Sequence, residues 1–208
     1  MKNKFICFLL LIIIIGSSIL IHKINQTTAY DPEIYNQVYS EFEEITKRST
    51  TTKIDISSVS SSIPKETIYI SKNESSSNRY KISGAINIPK INVSYPIIND
   101  YSEENLNIAP TKFAGPEPNT VGNFVIVGHN NWNKSFFSNL HKLENGDVVE
   151  LTDKNGKKIT YTVYDKYEVD QYDFSCLNQD TNGKIELTLI TCIKNQKNKR
   201  LIIKCIAD

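Results

Sequence analysis

From Lys81 onward the chain alternates apolar and polar residues with a period of two. The run "ISGAINIPKINVSYPII", punctuated by Pro89 and Pro96, predicts two consecutive strands. "NFVIVGH" is instead a short continuous apolar run, typical of a buried strand. "DVVELTDKNGKKITYTVYDKYEV" predicts a hairpin, because Asn155-Gly156 supplies the positive φ that a tight turn needs. "KIELTLITC" and "RLIIKCIA" predict two further strands, joined by a short, very basic loop. Only "YSEENLN" and "NKSFFSNLHKLENG" carry helical spacing, and both are short. Many short strands with minor helices predict a mostly-β barrel or sandwich over residues 81–208.

Upstream of Lys81 the texture differs. Lys2 and Lys4 precede an uncharged apolar stretch from Phe5 to Ile21, about 17 residues, near the lower limit for a helix crossing a bilayer. It is longer than the apolar region of an ordinary signal peptide. The amino-terminal lysines predict a cytoplasmic tail at 1–4, a single transmembrane anchor at 5–21 and an extracellular body. In "YDPEIYNQVYSEFEEITKR", Ile34, Val38, Phe42 and Ile45 recur at helical spacing. The Ser/Thr-rich run that follows is too poor in apolar residues to build a core. Residues 22–80 are therefore read as an extracellular stalk that the folded domain does not require.

The chain has 208 residues and a formal net charge of +1, so no electrostatic argument favours nucleic acid as a partner. Its four cysteines, Cys7, Cys176, Cys192 and Cys205, fit neither a CxxC pair nor a zinc set. Strand parity puts Ile185, Leu187, Leu189 and Thr191 on one face, and Glu186, Thr188, Ile190 and Cys192 on the other. Cys192 thus leaves the apolar set. An antiparallel partner with Arg200 opposite Cys192 would also set Ile202 opposite Ile190 and Lys204 opposite Thr188. A slip of one residue would turn Arg200 to the other face. Cys205 falls on the opposite parity and reads as a buried structural thiol.

A thiol needs a base or a cation to act as a nucleophile at neutral pH. Of the three histidines, His22 sits at the membrane edge and His141 in a polar stretch, where it reads as a solvated surface residue. His129 follows a glycine at the end of a buried strand, where a scaffold presents side chains at a rim. A lone Cys or His is ordinarily structural; the argument rests on Cys192, Arg200 and His129 occurring together at the ends of separate strands. The loop cations Lys194, Lys197 and Lys199 read as solvated.

The pieces "GAINIPKINVSYPI", "GNFVIVGH", "FFSNLHKLENGD", "LTLITC" and the Arg of "KNKRLII" resemble the sortase family, in family order and over nearly all of Lys81 to Ala207. The resemblance implies an eight-stranded β-barrel and a cysteine transpeptidase on the outer face of a Gram-positive cell envelope, similar to the class D or class A members. It implies Cys192 as nucleophile, His129 as general acid/base and Arg200 as the oxyanion-stabilising cation. Thr191, Ile190 and Ile202 are the implied substrate contacts. The implied substrates are surface proteins bearing an LPxTG-like sorting signal, cut between Thr and Gly, with a peptidoglycan-precursor amine as acceptor. Two other readings stand beside it: a cell-wall cysteine peptidase, in which water takes the acyl group, and a non-enzymatic surface protein. No cofactor is expected. Glu103, Glu104, Glu117 and Asp170 are the carboxylates on which an activating calcium ion would draw, against the simpler reading of scattered surface acids.

Overall fold

The computed structural model describes residues 32–54, 80–131 and 135–208. The tail at 1–4 and the anchor at 5–21 lie outside the described residues. Among the described residues no helix is long and apolar enough to cross a membrane.

Eight strands close into a barrel. They are β1 (Ile82–Ile88), β2 (Val93–Ile98), β3 (Thr111–Ala114), β4 (Gly122–Val127), β5 (Val148–Asp153), β6 (Lys158–Asp170), β7 (Ile185–Ile193) and β8 (Gln196–Ala207). Around the barrel they run β1-β2-β3-β4-β7-β8-β6-β5. Pro89–Ile91 forms a 3₁₀ turn between β1 and β2, which then pair antiparallel. β3 is the strand that the sequence pattern does not show. It spans four residues, and only Thr111 is fully buried. That is too short for a period of two to stand out.

The continuous apolar run of β4 has a direct cause. Phe124 and Ile126 point into the barrel core with Leu187, Leu189, Tyr161 and Ile203. Val125 and Val127 point outward, yet are covered by Cys176 and Leu177 of the 3₁₀ turn Ser175–Leu177. β4 is thus buried on both faces, as parallel strands usually are, and it runs parallel to β7. The turn is held by Asn123, a fully buried side chain. Its amide nitrogen donates to the carbonyls of Cys176 (2.9 Å) and Asn178 (3.1 Å), and its oxygen accepts from Thr188 Oγ1 (2.6 Å). A buried amide satisfied on both ends fixes the outer layer to the barrel.

Two expectations change. "NKSFFSNLHKLENG" forms no α-helix among its described residues: Phe136 bridges to Asn130 and only Leu140–Lys142 makes a 3₁₀ turn. Phe136 takes φ 52°, which breaks helical continuity. The stalk reading of 22–80 is corrected for part of its length. Pro32–Ile54 is a helix, α1, in the same compact unit as the barrel. Val38 and Phe42 are buried against Tyr80, Ile82, Ile98 and Ala109, with Ile45 beside them. The side chain of Ile34 and residues 55–79 lie outside the described residues. Burial of each of Val38 and Phe42 contributes about 1.5–3 kcal/mol, more than a solvated stalk helix would gain. The second helix, α2 (Glu103–Ile108), is capped by Ser102, whose side chain accepts from Asn105 N (3.1 Å).

Candidate active site

β7 lies between β4 and β8, so its end is flanked by both neighbours. On the β8 side Cys192 pairs with Arg200, Ile190 with Ile202 and Thr188 with Lys204, the register supposed from the sequence, without the slip. On the β4 side the parallel ladder sets Val127 beside Ile190. The same offset carried two residues further sets His129 beside Cys192. Side-chain and backbone bonds continue that ladder past its last strand pair. Gly128 N donates to Ile190 O (3.1 Å), Thr191 Oγ1 to Gly128 O (2.7 Å) and Asn130 Nδ2 to Cys192 O (2.9 Å). Adjacent strands lie about 4.8 Å apart, and His129, Cys192 and Arg200, from three neighbouring strand ends, line one groove.

Each member is held differently. Gly128, before the histidine, has no room for a Cβ: one would stand 2.7 Å from Phe137 Cδ2. Phe137 is fully buried and its N–H donates to His129 O (3.0 Å), so the glycine lets the ring pass under the site. His129 is half-buried, and its Nε2 lies 3.1 Å from Asn107 Oδ1 on α2. An amide oxygen only accepts, so Nε2 carries the proton and Nδ1 holds the free lone pair of the neutral ring. Burial pushes the imidazole pKa down from its usual value, and Glu103 on the same helix partly opposes this.

Arg200 reaches its place through a bulge. After the Cys192–Arg200 pair the next pair is Ile193–Gln196, so Lys197, Asn198 and Lys199 are extra residues on β8. The strand therefore begins at Gln196, and the basic loop is a tight turn at Lys194–Asn195. Arg200 Nη1 donates to the carbonyls of Lys197 and Lys199, both at 2.9 Å, which fixes one side of the guanidinium on its own bulge.

The three described cysteines separate cleanly. Cys205 is fully buried in the barrel core and Cys176 nearly so in the outer layer; burial pushes both thiols up, toward the unreactive form. Cys192 alone among them is exposed. It stands at the mouth of a groove of about 310 Å³ whose walls include Leu106, Phe113, Val169, Ile190 and Ile202. Thr191 also borders it but is buried, and its hydroxyl is spent on Gly128, so it joins strands rather than offering a polar contact. Asn107, Asn123 and the contact of Gly128 with Phe137 escape sequence reasoning. For Gly128 the signal was present, a glycine directly before the histidine; Asn107 and Asn123 carry none.

Of the carboxylates named for calcium, Glu103 and Glu104 are neighbours in the first turn of α2, and the other two have partners elsewhere. Glu117 pairs with Lys112 (3.2 Å) and Lys154 (3.4 Å), Asp170 accepts from Tyr172 N (3.1 Å), and Glu103 faces His129. Among the described residues no group of three or more candidate ligands forms a cluster.

The sortase-domain family model matches residues 86–207. Sortase A of Bacillus anthracis is 29% identical over 128 residues, 61% of this chain and 60% of that protein. Sortase A of Streptococcus agalactiae is 29% identical over 203 residues, 93% of this chain and 80% of that one. Among solved structures, a Clostridium perfringens sortase D5 transpeptidase aligns with a TM-score of 0.64 at 22% identity, covering 85% of this chain and 99% of that one. Listeria monocytogenes sortase A aligns at 0.56 and 23% identity, over 61% and 87% of the two chains. The chain spans somewhat under two thirds of the Bacillus relative, and these structural likenesses carry the fold. On the family match, which covers more than half of its length, this chain belongs to the sortase family.

Proposed function

We propose that the protein is a cysteine transpeptidase that cuts an LPxTG-like sorting signal between Thr and Gly and joins the acyl fragment to a cell-wall amine. The observation that carries the reading is the grouping at the ends of β4, β7 and β8: an exposed thiol between an imidazole and a guanidinium, opening on an apolar groove. The groove walls suit the aliphatic part of such a signal, and its volume is at the small end of ligand sites, as a short extended peptide requires.

In acylation the Cys192 sulfur attacks the Thr carbonyl carbon. His129 Nδ1 takes the thiol proton as sulfur attacks; the C–N bond then breaks, and the same proton passes from His129 to the departing glycine amine. With Nη1 of Arg200 held by two backbone carbonyls, Nε and Nη2 are left to donate to the carbonyl oxygen as it gains charge. Such donors commonly contribute about 3–4 kcal/mol to the rate. The thioacyl-enzyme then passes its acyl group to an amine. In this reading residues 5–21 anchor the chain in the membrane of a Gram-positive cell, with the barrel outside.

The test is incubation with an LPxTG peptide, with and without an added amine, followed by mass spectrometry of protein and products. A thioacyl adduct on Cys192 and an amine-dependent transfer product are expected. Acid product alone in the presence of amine would make the protein a peptidase. An unlabelled Cys192 with intact peptide would exclude both.

A further inference from the structure

A second groove meets the first at the nucleophile. It holds about 390 Å³ and shares Thr191 and Cys192 with the first, but its floor is Phe137 and Leu201, which belong to the barrel core rather than the outer layer. Ile190 and Ile202, which line the first groove, do not line it. Its charged groups also differ from the Glu103, Asp173 and Arg200 of the first. His141, Lys166, Glu168 and Lys194 line it, and a contiguous recess of about 300 Å³ adds Lys142. Three lysines against one glutamate give the combined surface an excess of positive charge.

His141 is built into this wall. Its Nδ1 lies 3.0 Å from Ser138 O, and a carbonyl only accepts, so Nδ1 carries the proton and Nε2 is the free acceptor of the neutral ring. The turn beneath is pinned to β6: Lys166 Nζ donates to His141 O (2.7 Å) and Leu143 O (2.9 Å). Ser138, in turn, donates to Ser135 O (2.6 Å) and accepts from Asn131 N (2.8 Å).

Transfer needs a second substrate while the first groove still holds the acyl chain, so the acceptor must reach the same carbon from elsewhere. A primary amine also arrives as an ammonium and must lose a proton before it can attack. We propose that the ionic groove is the acceptor site, that it takes a primary amine which also bears a carboxylate, and that His141 Nε2 receives the proton the ammonium gives up. This rests on the transpeptidase reading above. The neutral amine then forms a C–N bond to the thioester carbon, the C–S bond breaks and sulfur leaves with the electron pair. His129 carries the second amine proton to the Cys192 thiolate. Lys142 and Lys194 draw the carboxylate and hold it away from the reacting carbon.

The test offers the thioacyl-enzyme 6-aminohexanoate or its uncharged isostere 6-aminohexanamide, and counts transfer against hydrolysis. That ratio counts only acylated enzyme, so it reports even on a variant that folds poorly. Wild type should half-saturate with the carboxylate probe at a concentration at least about fivefold lower than with the amide. Lys194→Gln should shrink that preference. His141→Gln should lower the transfer-to-hydrolysis ratio at saturation about tenfold, with the half-saturating concentration changed less than about threefold. Equal half-saturation by the two probes in wild type, or a ratio unmoved in His141→Gln, overturns the proposal. Absence of any Cys192 adduct in wild type overturns the parent reading, and this one with it.

Discussion

The two side chains that flank Cys192 are held by opposite means. His129 is half-buried, and its position depends on another element: Asn107 and Glu103 of α2 address its ring, and α2 ends at Ile108–Ala109, where α1 packs. Arg200 is held by its own strand, through two carbonyls of a three-residue bulge. The imidazole is thus tuned through a chain of packed elements, whereas the guanidinium is set by local geometry. A change far from the site can reach the first but not the second.

Removing what lies between them has the largest effect. Cys192→Ala should abolish thioacyl formation and transfer while thermal unfolding is unchanged, since the side chain is exposed; residual transfer product would move the nucleophile elsewhere. On the arginine side, Arg200→Lys keeps the charge but loses the fork that spans bulge and substrate. A fall in kcat/KM of about a hundredfold, roughly 2.7 kcal/mol, is expected. Near-normal steady-state kinetics would show that a point charge suffices.

The histidine side should respond over a distance. Phe42→Ala should cost about 3 kcal/mol of stability by chemical denaturation, because the ring is buried on the barrel. Its kcat/KM should fall modestly, by about threefold, through Ile108 and α2; no change in stability would return α1 to a stalk. Asn107→Ala frees the imidazole Nε2 and should lower kcat/KM by about fivefold, or about 1 kcal/mol, with Arg200→Lys additive to it. Coupling between the two, measured by a double-mutant cycle, would erase the distinction.

The smallest effect is on titration. Burial lowers the His129 pKa and Glu103 raises it, so Glu103→Gln should lower it further, read from the ring proton resonance in NMR. The sign for stability follows. A histidine that binds its proton less readily when folded opposes folding as pH falls below its unfolded value of about 6.5, and the loss extends downward through the folded pKa. Glu103→Gln should deepen that acid-side loss slightly and leave stability above about pH 7 alone.

The barrel was legible where the physics is local. Alternation in β1, β2, β5 and β6, the Asn155-Gly156 turn and the parity of β7 each follow from a few neighbouring residues; the Cys192–Arg200 register is a supposition that parity does not fix, and the structure supplies it. What stayed hidden depends on distant partners. β3 is too short for a period, and the helical spacing before the 3₁₀ turn at Leu140 lost to the packing of Phe136 and Phe137. The docking of α1 rests on an apolar patch of the barrel that no local pattern announces. His141 is exposed, as its polar neighbours in sequence predict; that it lines a groove together with Cys192 depends on neighbours in space.

Each of the eight strands has a partner on both sides. If the substrate is an extended peptide, as proposed above, a bare strand edge would be a hazard: it would recruit such segments by backbone pairing, with little regard to side chains. Closure takes that route away. Recognition is then confined to what the grooves beside Cys192 read, and selectivity for one short motif among many extended tails becomes a property of topology as much as of the residues that line the site.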